Sequence, residues 1–373
     1  MHILALESSC DETSAAVVAD GMTVLSNVIA TSTAMHAKYG GIVPEVAARE
    51  QLKCIIPIIQ EATKNVSYDA IAIAVGPGLI GSLLIGVETA KTIAMVTGKP
   101  IIPVNHVLAH MYANFIESSS CHPRVGEDLP SFEKNKPDSR LRGNDKRIQF
   151  PAISLVVSGG HTELFLMKSP KDLTWLGGTL DDAAGEAFDK TSRLLGFGSK
   201  GGVAIQEAAA KYKIRNTKYE IHFPRPLMYD KTLNFSFSGL KTAILREWQK
   251  CHPGLDPGTN RGSGSEAGTI SAFAYEVQES ITDVLVAKTK HAALSYNAKS
   301  ILISGGVAAN VRLREKFQST IYDLKSTISF HCPPINLCTD NAAYIGSYAY
   351  FRGTPVDWHT ITAIPDMSVE IQS

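Results

Sequence analysis

A chain of 373 residues is too long for one typical domain, and two are expected. With 44% hydrophobic and 19% charged residues it reads as an ordinary soluble globular protein, and its formal net charge of zero means that any nucleic acid must be met by a local patch or through another subunit. Six cysteines without C-x-x-C spacing exclude a disulfide framework and a structural zinc site, and the lack of a leader-type segment or an apolar run of ~18 residues leaves a cytoplasmic protein, with no membrane span, as the expectation.

In chain order, residues 2–20 read as two strands around the turn E-S-S-C-D-E-T, and 23–30 as a third strand. The segment 36–44 is a glycine-bearing loop, and 45–63 has helical periodicity with Val46, Ile55, Ile56, Ile58 and Ile59 as core contacts. A buried strand at 70–75 leads through G-P-G-L-I-G-S into a helix ending near Thr97, followed by a strand at 100–104. The first third is therefore an α/β pattern. Asn105 is a good N-cap for H-V-L-A-H-M-Y-A-N-F, which reads as a helix of about three turns. The polar, proline-bearing stretches 118–147 and 251–268 read as inserted loops. Both begin C-H-P, without chelating spacing. Between them, V-V-S-G-G-H-T at 156–162 is a strand, a glycine turn and a strand, and 177–196 is an amphipathic helix started by Asp181 or Asp182. A K-G-G-V turn, a helix through 211 and the turn N-F-S-F-S-G-L-K at 234–241 follow. Helix 271–295, strand 299–304, an S-G-G turn, helix 308–317, strand 327–332 and a helix over 340–350 complete the pattern, with a loosely packed tail at 354–373.

Strand-to-polar-turn units recur at 3–13, 156–162 and 301–308, which suggests a duplicated fold closing on a phosphate-bearing ligand; glycine turns are also common in any α/β protein. His106 and His110 stand at i and i+4, so one helix face carries both imidazoles, either as metal ligands or as an ordinary partly exposed face. Asp340, in C-T-D-N at a helix start, is a candidate third ligand, and two histidines with one carboxylate suit iron(II) or zinc. The hydrolytic signature H-E-x-x-H is not met, because Val107 stands where its general base belongs. Asp11 and Glu12 could orient a water, a metal or an attacking amine, or form an Asx-type turn with a solvated glutamate. Glu186 and Asp189 share a helix face, suited to ribose hydroxyls or simply to solvent. Gly305, Gly306 and Asn310 open a helix after a strand, where a flat ring could approach the backbone or strand and helix could pack tightly.

Taken together, E-S-S-C-D-E-T, G-G-I-V-P-E-V-A-A-R-E, G-P-G-L-I-G-S-L, N-H-V-L-A-H, V-S-G-G-H-T, D-D-A-A-G-E-A-F-D-K, F-S-F-S-G-L-K-T, S-G-G-V-A-A-N and C-T-D-N-A-A resemble the TsaD family, the bacterial tRNA N6-adenosine threonylcarbamoyltransferases formerly labelled sialoglycoprotein endopeptidases. The resemblance covers nearly the whole chain outside the two inserts. It implies the actin-like ATPase, Hsp70 and sugar-kinase (ASKHA) fold, two α/β lobes with a ligand cleft between. The lobes expected are 1–105 with about 333–373, and 106–332 with the inserts. The implied reaction is acyl transfer of a threonylcarbamoyl group from threonylcarbamoyl-adenylate to N6 of the adenosine 3′ of the anticodon, a tRNA modification of tRNAs reading codons that begin with A. Carried over by motif, His106, His110 and Asp340 match the metal ligands, and Val157, Ser158, Gly159, Gly160, His161, Asp189, Gly202 and Asn310 match the adenylate contacts; Glu186 and Gly306 join that substrate set, and Asp11 and Glu12 are the catalytic candidates. TsaB-like and TsaE-like subunits are the implied partners, with a TsaC-type synthase supplying the adenylate.

Three positions depart from the family pattern: Gln51 stands where histidine is usual, Val203 where proline is usual and Asn234 where aspartate is common. The adenylate is a mixed anhydride already activated for transfer, so the expected work is to hold it, polarise its carbonyl and present the amine. Lys38, Arg49, Arg225, Lys241 and Arg312 are the basic candidates for tRNA. The rival readings are an ATP-dependent kinase or chaperone of the same fold, a metalloprotease, and a non-catalytic scaffold.

Overall fold

The protein is described by a computed structural model over residues 1–32, 43–117, 147–198, 201–212, 221–251, 264–323 and 328–370, with backbone alone at 264–267 and 323. Lys38, most of the 36–44 loop, and residues 118–146 and 252–263 of the two inserts lie outside the described residues. The chain divides into two compact units: 1–148 with 167–174 and 331–373, and 149–166 with 175–330.

The first unit is built on a mixed sheet of β1 (His2–Glu7), β2 (Glu12–Ala19), β3 (Thr23–Thr31), β4 (Ala70–Gly76) and β5 (Ile101–Asn105), in the order β3-β2-β1-β4-β5. β1 to β3 form an antiparallel meander, whereas β4 and β5 run parallel to β1. The register lines up Val17, Leu4, Ile71 and Ile101 across four strands on one face. All four are buried in one cluster with Ile58 and Ala62 of helix Pro44–Thr63 and Val87, Ala90 and Ala94 of helix Ile80–Thr97. Each Leu or Ile there contributes on the order of 1.5–3 kcal/mol by leaving water. The other face takes helix Ala342–Arg352, where Gly346 lies against Val18 and Ala5.

Helix Ile80–Thr97 is long and apolar enough to cross a membrane by length and composition alone. It nevertheless carries a Glu88–Lys91 ion pair and buries one face against β4, as a core helix does. The tail is likewise better held than its composition suggests. Ile361 is buried, Val356 bridges Ile101, and the Ile364 N–H donates to Val75 O at 2.7 Å.

The segment after β5 differs from a three-turn α-helix. Asn105 does cap it, accepting from Leu108 N at 3.1 Å, but only His106–Ala109 is α-helical and His110–Phe115 continues as a 3-10 helix. In that tighter coil residues three apart eclipse. Tyr112 and Phe115 accordingly stack at 5.3 Å, and they pack on Tyr348 and Phe351 of helix Ala342–Arg352 at 5.1 Å each. This packing assigns 106–115 to the first unit, whereas a lobe boundary at 105/106 was expected.

The second unit repeats the plan. Its strands are β6 (Ala152–Val157), β7 (Thr162–Met167), β8 (Leu173–Gly178), β9 (Ser300–Ser304) and β10 (Ser329–His331), in the order β8-β7-β6-β9-β10, which is the strand order of the first sheet. Helices Ala184–Leu194, Gly201–Ala210, Ser238–Cys251, Gly264–Ser295 and Val311–Asp323 accompany it. Neither Asp181 nor Asp182 starts the first of these. Asp181 instead holds the 236–238 turn, accepting from Ser236 Oγ at 2.6 Å and Phe237 N at 2.8 Å, while Asp182 pairs with Lys190. The long helix begins at Gly264, inside the expected second insert, because extending a formed helix backwards over Ser-Glu-Ala is cheaper than nucleating a new turn. The expected helix at 308–317 is a 3-10 turn, Gly306–Ala309, followed by Val311–Asp323.

Gly305 has φ +89°, and a Cβ there would lie 2.4 Å from the carbonyl oxygen of Val157. By contrast, a Cβ on Gly159 would meet nothing within 4 Å. Gly305→Ala is therefore expected to lower unfolding free energy by ~2–4 kcal/mol in urea titration, and Gly159→Ala to leave it within ~0.5 kcal/mol.

Candidate functional site

His106, His110 and Asp340 come together within the first unit, with one ligand atom from each lying within 4.8 Å of the others. Three local features deliver them. The Asn105 cap fixes the start of the His106 helix directly after β5. One turn on, His110 opens the 3-10 segment and stays on the same face. Asp340 lies just before helix Ala342–Arg352, whose cap is Asn341, accepting from Ala343 N at 3.0 Å. Asp340 Oδ1 is 3.7 Å from His106 Nε2 and 3.5 Å from His110 Nε2.

The two imidazoles of this cluster are buried and its carboxylate is partly exposed, and its own hydrogen bonds do not satisfy it. Neither ring nitrogen of His110 makes a hydrogen bond, although the residue is 1% exposed. An orphaned imidazole nitrogen facing a carboxylate and a second imidazole is what a divalent-ion site leaves when its ligands are considered alone. The residues present thus fit a metal.

Charges shape the site. Burial works to lower the His106 pKa, but the Glu7 and Asp340 carboxylates outweigh it and push it up to about 9. His110 goes the other way: burial, reinforced by the His106 charge, lowers it. Asp340 is held below the ordinary carboxylate range; burial opposes this, and the two imidazoles prevail. Tyr344, donating to Asp340 Oδ1 at 3.4 Å, is kept neutral by burial. Sequence reasoning missed Glu7, whose Oε2 is 2.9 Å from His106 Nδ1. The signal available was a lone acid closing the apolar strand H-I-L-A-L-E.

Asp11 and Glu12 sit on the turn between β1 and β2. Asp11 O accepts from Ser32 Oγ at 2.8 Å, and Glu12 opens β2 opposite Thr31. That turn is braced by Gln51: its Nε2 reaches Cys10 O at 2.8 Å, Glu12 O at 3.2 Å and Ser8 O at 3.4 Å. Leu79 of the G-P-G-L-I-G-S motif supports the same turn, its N–H donating to Ser9 O at 2.8 Å, and Gly86 farther along the helix leaves room for Ser8 Oγ.

The remaining candidates belong to the second unit. Val157 ends β6, Ser158 N donates to His161 O at 2.8 Å, and Gly159 and Gly160 between them are exposed with open space above their Cα atoms. Glu186 is ion-paired to Lys190 at 3.0 Å, and the Asp189 carboxyl is raised chiefly by burial. Gly202 lies over Phe188 at the start of helix Gly201–Ala210. Gly306 opens its 3-10 turn with nothing within 4 Å of an added Cβ. Asn310 is partly committed already: Oδ1 caps the next helix through Leu313 N at 3.0 Å, and Nδ2 donates to Gln278 at 3.1 Å. Of the basic candidates, Arg49 pairs with Glu45, Arg225 with Glu276 and Asp283, and Arg312 with Glu279, while Lys241 is exposed.

A metal on His106 Nε2 must displace a proton held up to about pH 9. Apparent affinity for zinc(II), read by competition with a chelator, is therefore expected to rise about tenfold per pH unit between about pH 7 and about pH 9 and then to flatten. A flat profile over that window would show that no such proton is released.

A family model described as TsaD, tRNA N6-adenosine threonylcarbamoyltransferase, matches residues 23–126 and 139–347. A Persephonella marina protein named tRNA N6-adenosine threonylcarbamoyltransferase is 41% identical over 370 residues, covering 96% of this chain and 93% of its own length. A Moorella thermoacetica protein of the same name is 41% identical over 373 residues, covering 98% and 96%. Among solved structures, T. kodakarensis HypF superposes with a TM-score of 0.54 at 12% identity, over 94% of this chain and 47% of HypF, a likeness of fold alone. The repeated sheet order fits the two-lobed actin-like fold expected from the sequence. With a family model matched over most of its length and relatives 41% identical from end to end, the chain belongs to the TsaD family of tRNA N6-adenosine threonylcarbamoyltransferases.

Proposed function

We propose that this chain is the acyltransferase that moves the threonylcarbamoyl group of threonylcarbamoyl-adenylate onto N6 of the adenosine 3′ of the anticodon, in tRNAs reading codons that begin with A. The observation that carries this reading is the His106, His110 and Asp340 group, with both imidazoles buried, in a chain of that family. In the reaction the N6 amine attacks the carbamoyl carbon. The carbon–oxygen bond to phosphate breaks, AMP leaves with the electron pair, and one amine proton must be taken up.

His106 Nε2, His110 Nε2 and an Asp340 oxygen are the atoms that would hold a divalent ion, iron(II) by the two-histidine-one-carboxylate set or else zinc. When bound, that ion supplies Lewis acidity to the carbonyl. Asp11 or Glu12, on the braced turn beside His106, takes the amine proton. The Ser158–His161 turn receives the phosphate on the bare N–H groups of Gly159 and Gly160. Glu186, Asp189, Gly202, Gly306 and Asn310 hold the nucleoside end, Asp189 through the ribose hydroxyls. Val107, buried at 1% exposure, supplies no base on the two-histidine helix, so peptide hydrolysis is not favoured.

TsaB-like and TsaE-like subunits would complete the machinery, with a TsaC-type synthase feeding it, in the cytoplasm. Helices Pro44–Thr63 and Ile80–Thr97 pack side by side and expose Leu52, Ile56, Ile80 and Leu84, an apolar surface of the kind a related subunit covers. The basic side chains not engaged in ion pairs, with partner surfaces, are left to meet tRNA.

Reconstitution with threonine, bicarbonate, ATP, the synthase, the partner subunits and unmodified tRNA tests the reading. Threonylcarbamoyl-adenosine should appear in the digested tRNA. His106→Ala should lower its rate at least ~10²-fold, as expected when a metal and its electrostatic stabilisation are lost. Full activity of that variant with no metal bound would overturn the metal's role.

A further inference from the structure

Glu7 is the last residue of β1 and is 1% exposed. A carboxylate so deeply buried is costly unless both oxygens are met by donors. Here each oxygen faces a different one. Oε1 accepts from the Ser9 N–H at 2.6 Å, and Oε2 lies 2.9 Å from His106 Nδ1. Ser9 Oγ stands 3.2 Å from the same ring nitrogen. With a carboxylate oxygen against it, Nδ1 carries the imidazole proton, and Nε2 is left on the side of Asp340 and His110.

We propose that Glu7 is a positioning residue that sets the tautomer and ring orientation of His106, so that Nε2 is the ligand atom; this rests on the metal reading given above. The placement is rigid. Glu7 is paired with Ser14 in the β1–β2 ladder, and His106 follows β5 directly, so strand ends hold both partners. The same carboxylate also raises the basicity of Nε2, as an anionic acceptor behind a metal-ligating histidine does. Through Oε1 it fixes the backbone of the turn that carries Asp11 and Glu12, so one side chain sets both the metal ligand and the start of the acidic turn.

Glutamine at this position is diagnostic because it has one acceptor oxygen where glutamate has two. Turned to His106, its amide would set N–H against the Ser9 N–H. Turned to Ser9, it would present a donor to Nδ1 and drive the imidazole proton onto Nε2, the atom a metal needs.

The test uses the full chain and zinc(II), titrated in competition with a chelator. Glu7→Gln and Glu7→Ala are expected to lower zinc affinity about 10–100-fold, and the exposed-carboxylate control Glu45→Gln to leave it unchanged. A loss in His106→Ala with Glu7→Gln within twofold of the parent would overturn this inference and keep the metal site. Unchanged affinity in both His106→Ala and Glu7→Gln would overturn the metal reading and this inference with it. A second readout does not depend on the variants folding. In the zinc-loaded parent labelled with 15N-histidine, His106 should show Nδ1–H and a metal-bound Nε2, and the reverse pattern would overturn the proposal.

Discussion

Two carboxylates and two imidazoles, with Glu7, His106 and His110 buried and Asp340 partly exposed beside them, set the terms for the rest of the first unit. The hydrogen bonds of this group leave both ring nitrogens of His110 without a hydrogen-bond partner. His106 resolves part of the imbalance by holding a proton between two carboxylates, and His110, next to that charge, cannot do the same. The surroundings are correspondingly stiff. The Asn105 cap, the Tyr112 and Phe115 stack on helix Ala342–Arg352, and Ser347 Oγ donating to Tyr112 O at 3.2 Å all fix the His106–Phe115 segment against that helix. Ligands that must meet within a few ångströms are carried by elements that cannot drift apart cheaply.

The acidic turn after β1 depends on the same economy. The Gln51 amide nitrogen lies within hydrogen-bond distance of the carbonyls of Cys10, Glu12 and Ser8 and has two N–H groups to share among them, which an aliphatic residue at position 51 would not supply. A histidine there would offer at most one N–H on each ring nitrogen, where the Gln51 amide offers two from one atom. Gln51 thus holds the turn on which Asp11 and Glu12 lie. Burial meanwhile pushes the neighbouring Cys10 thiol far up, so the turn offers no thiolate nucleophile.

Much of this was legible in the sequence, for physical reasons that differ by element. Strands β1, β4 and β6 announce themselves as short apolar runs closed by polar turns, and the i, i+4 spacing of His106 and His110 needs only one helical turn to be true. That turn is all the α-helix there is: the stacked Tyr112–Phe115 pair and the tighter coil under it depend on aromatic partners more than 230 residues away in sequence. Glu7 was hidden for the same reason. Locally it is the polar end of a strand, and its partner His106 is 99 residues on. Asp181 shows the converse error, a good N-cap residue spent on a distant turn at 236–238. The tail looked loose because its anchors, Val75 O and Ile101, are backbone groups that leave no mark on composition.

The two units share a strand order, yet the turns that follow their first strands have opposite chemistry. After β1 the turn is acidic, with its carbonyls braced from behind and a carboxylate turned inward to His106. After β6 it is nearly bare backbone, its two glycines exposed with open space above their Cα atoms. Carboxylates on the first turn disfavour an anion, whereas the second has open space above its glycines. An acyl adenylate has both needs in one molecule, a phosphate that wants backbone donors and an activated carbonyl that wants a cation and a nearby base. On the proposed reading the chemistry requires no triphosphate cleavage, because the bond to be broken arrives already activated. What the protein adds is placement, and side chains such as Glu7 and Gln51 contribute to it by holding other residues still.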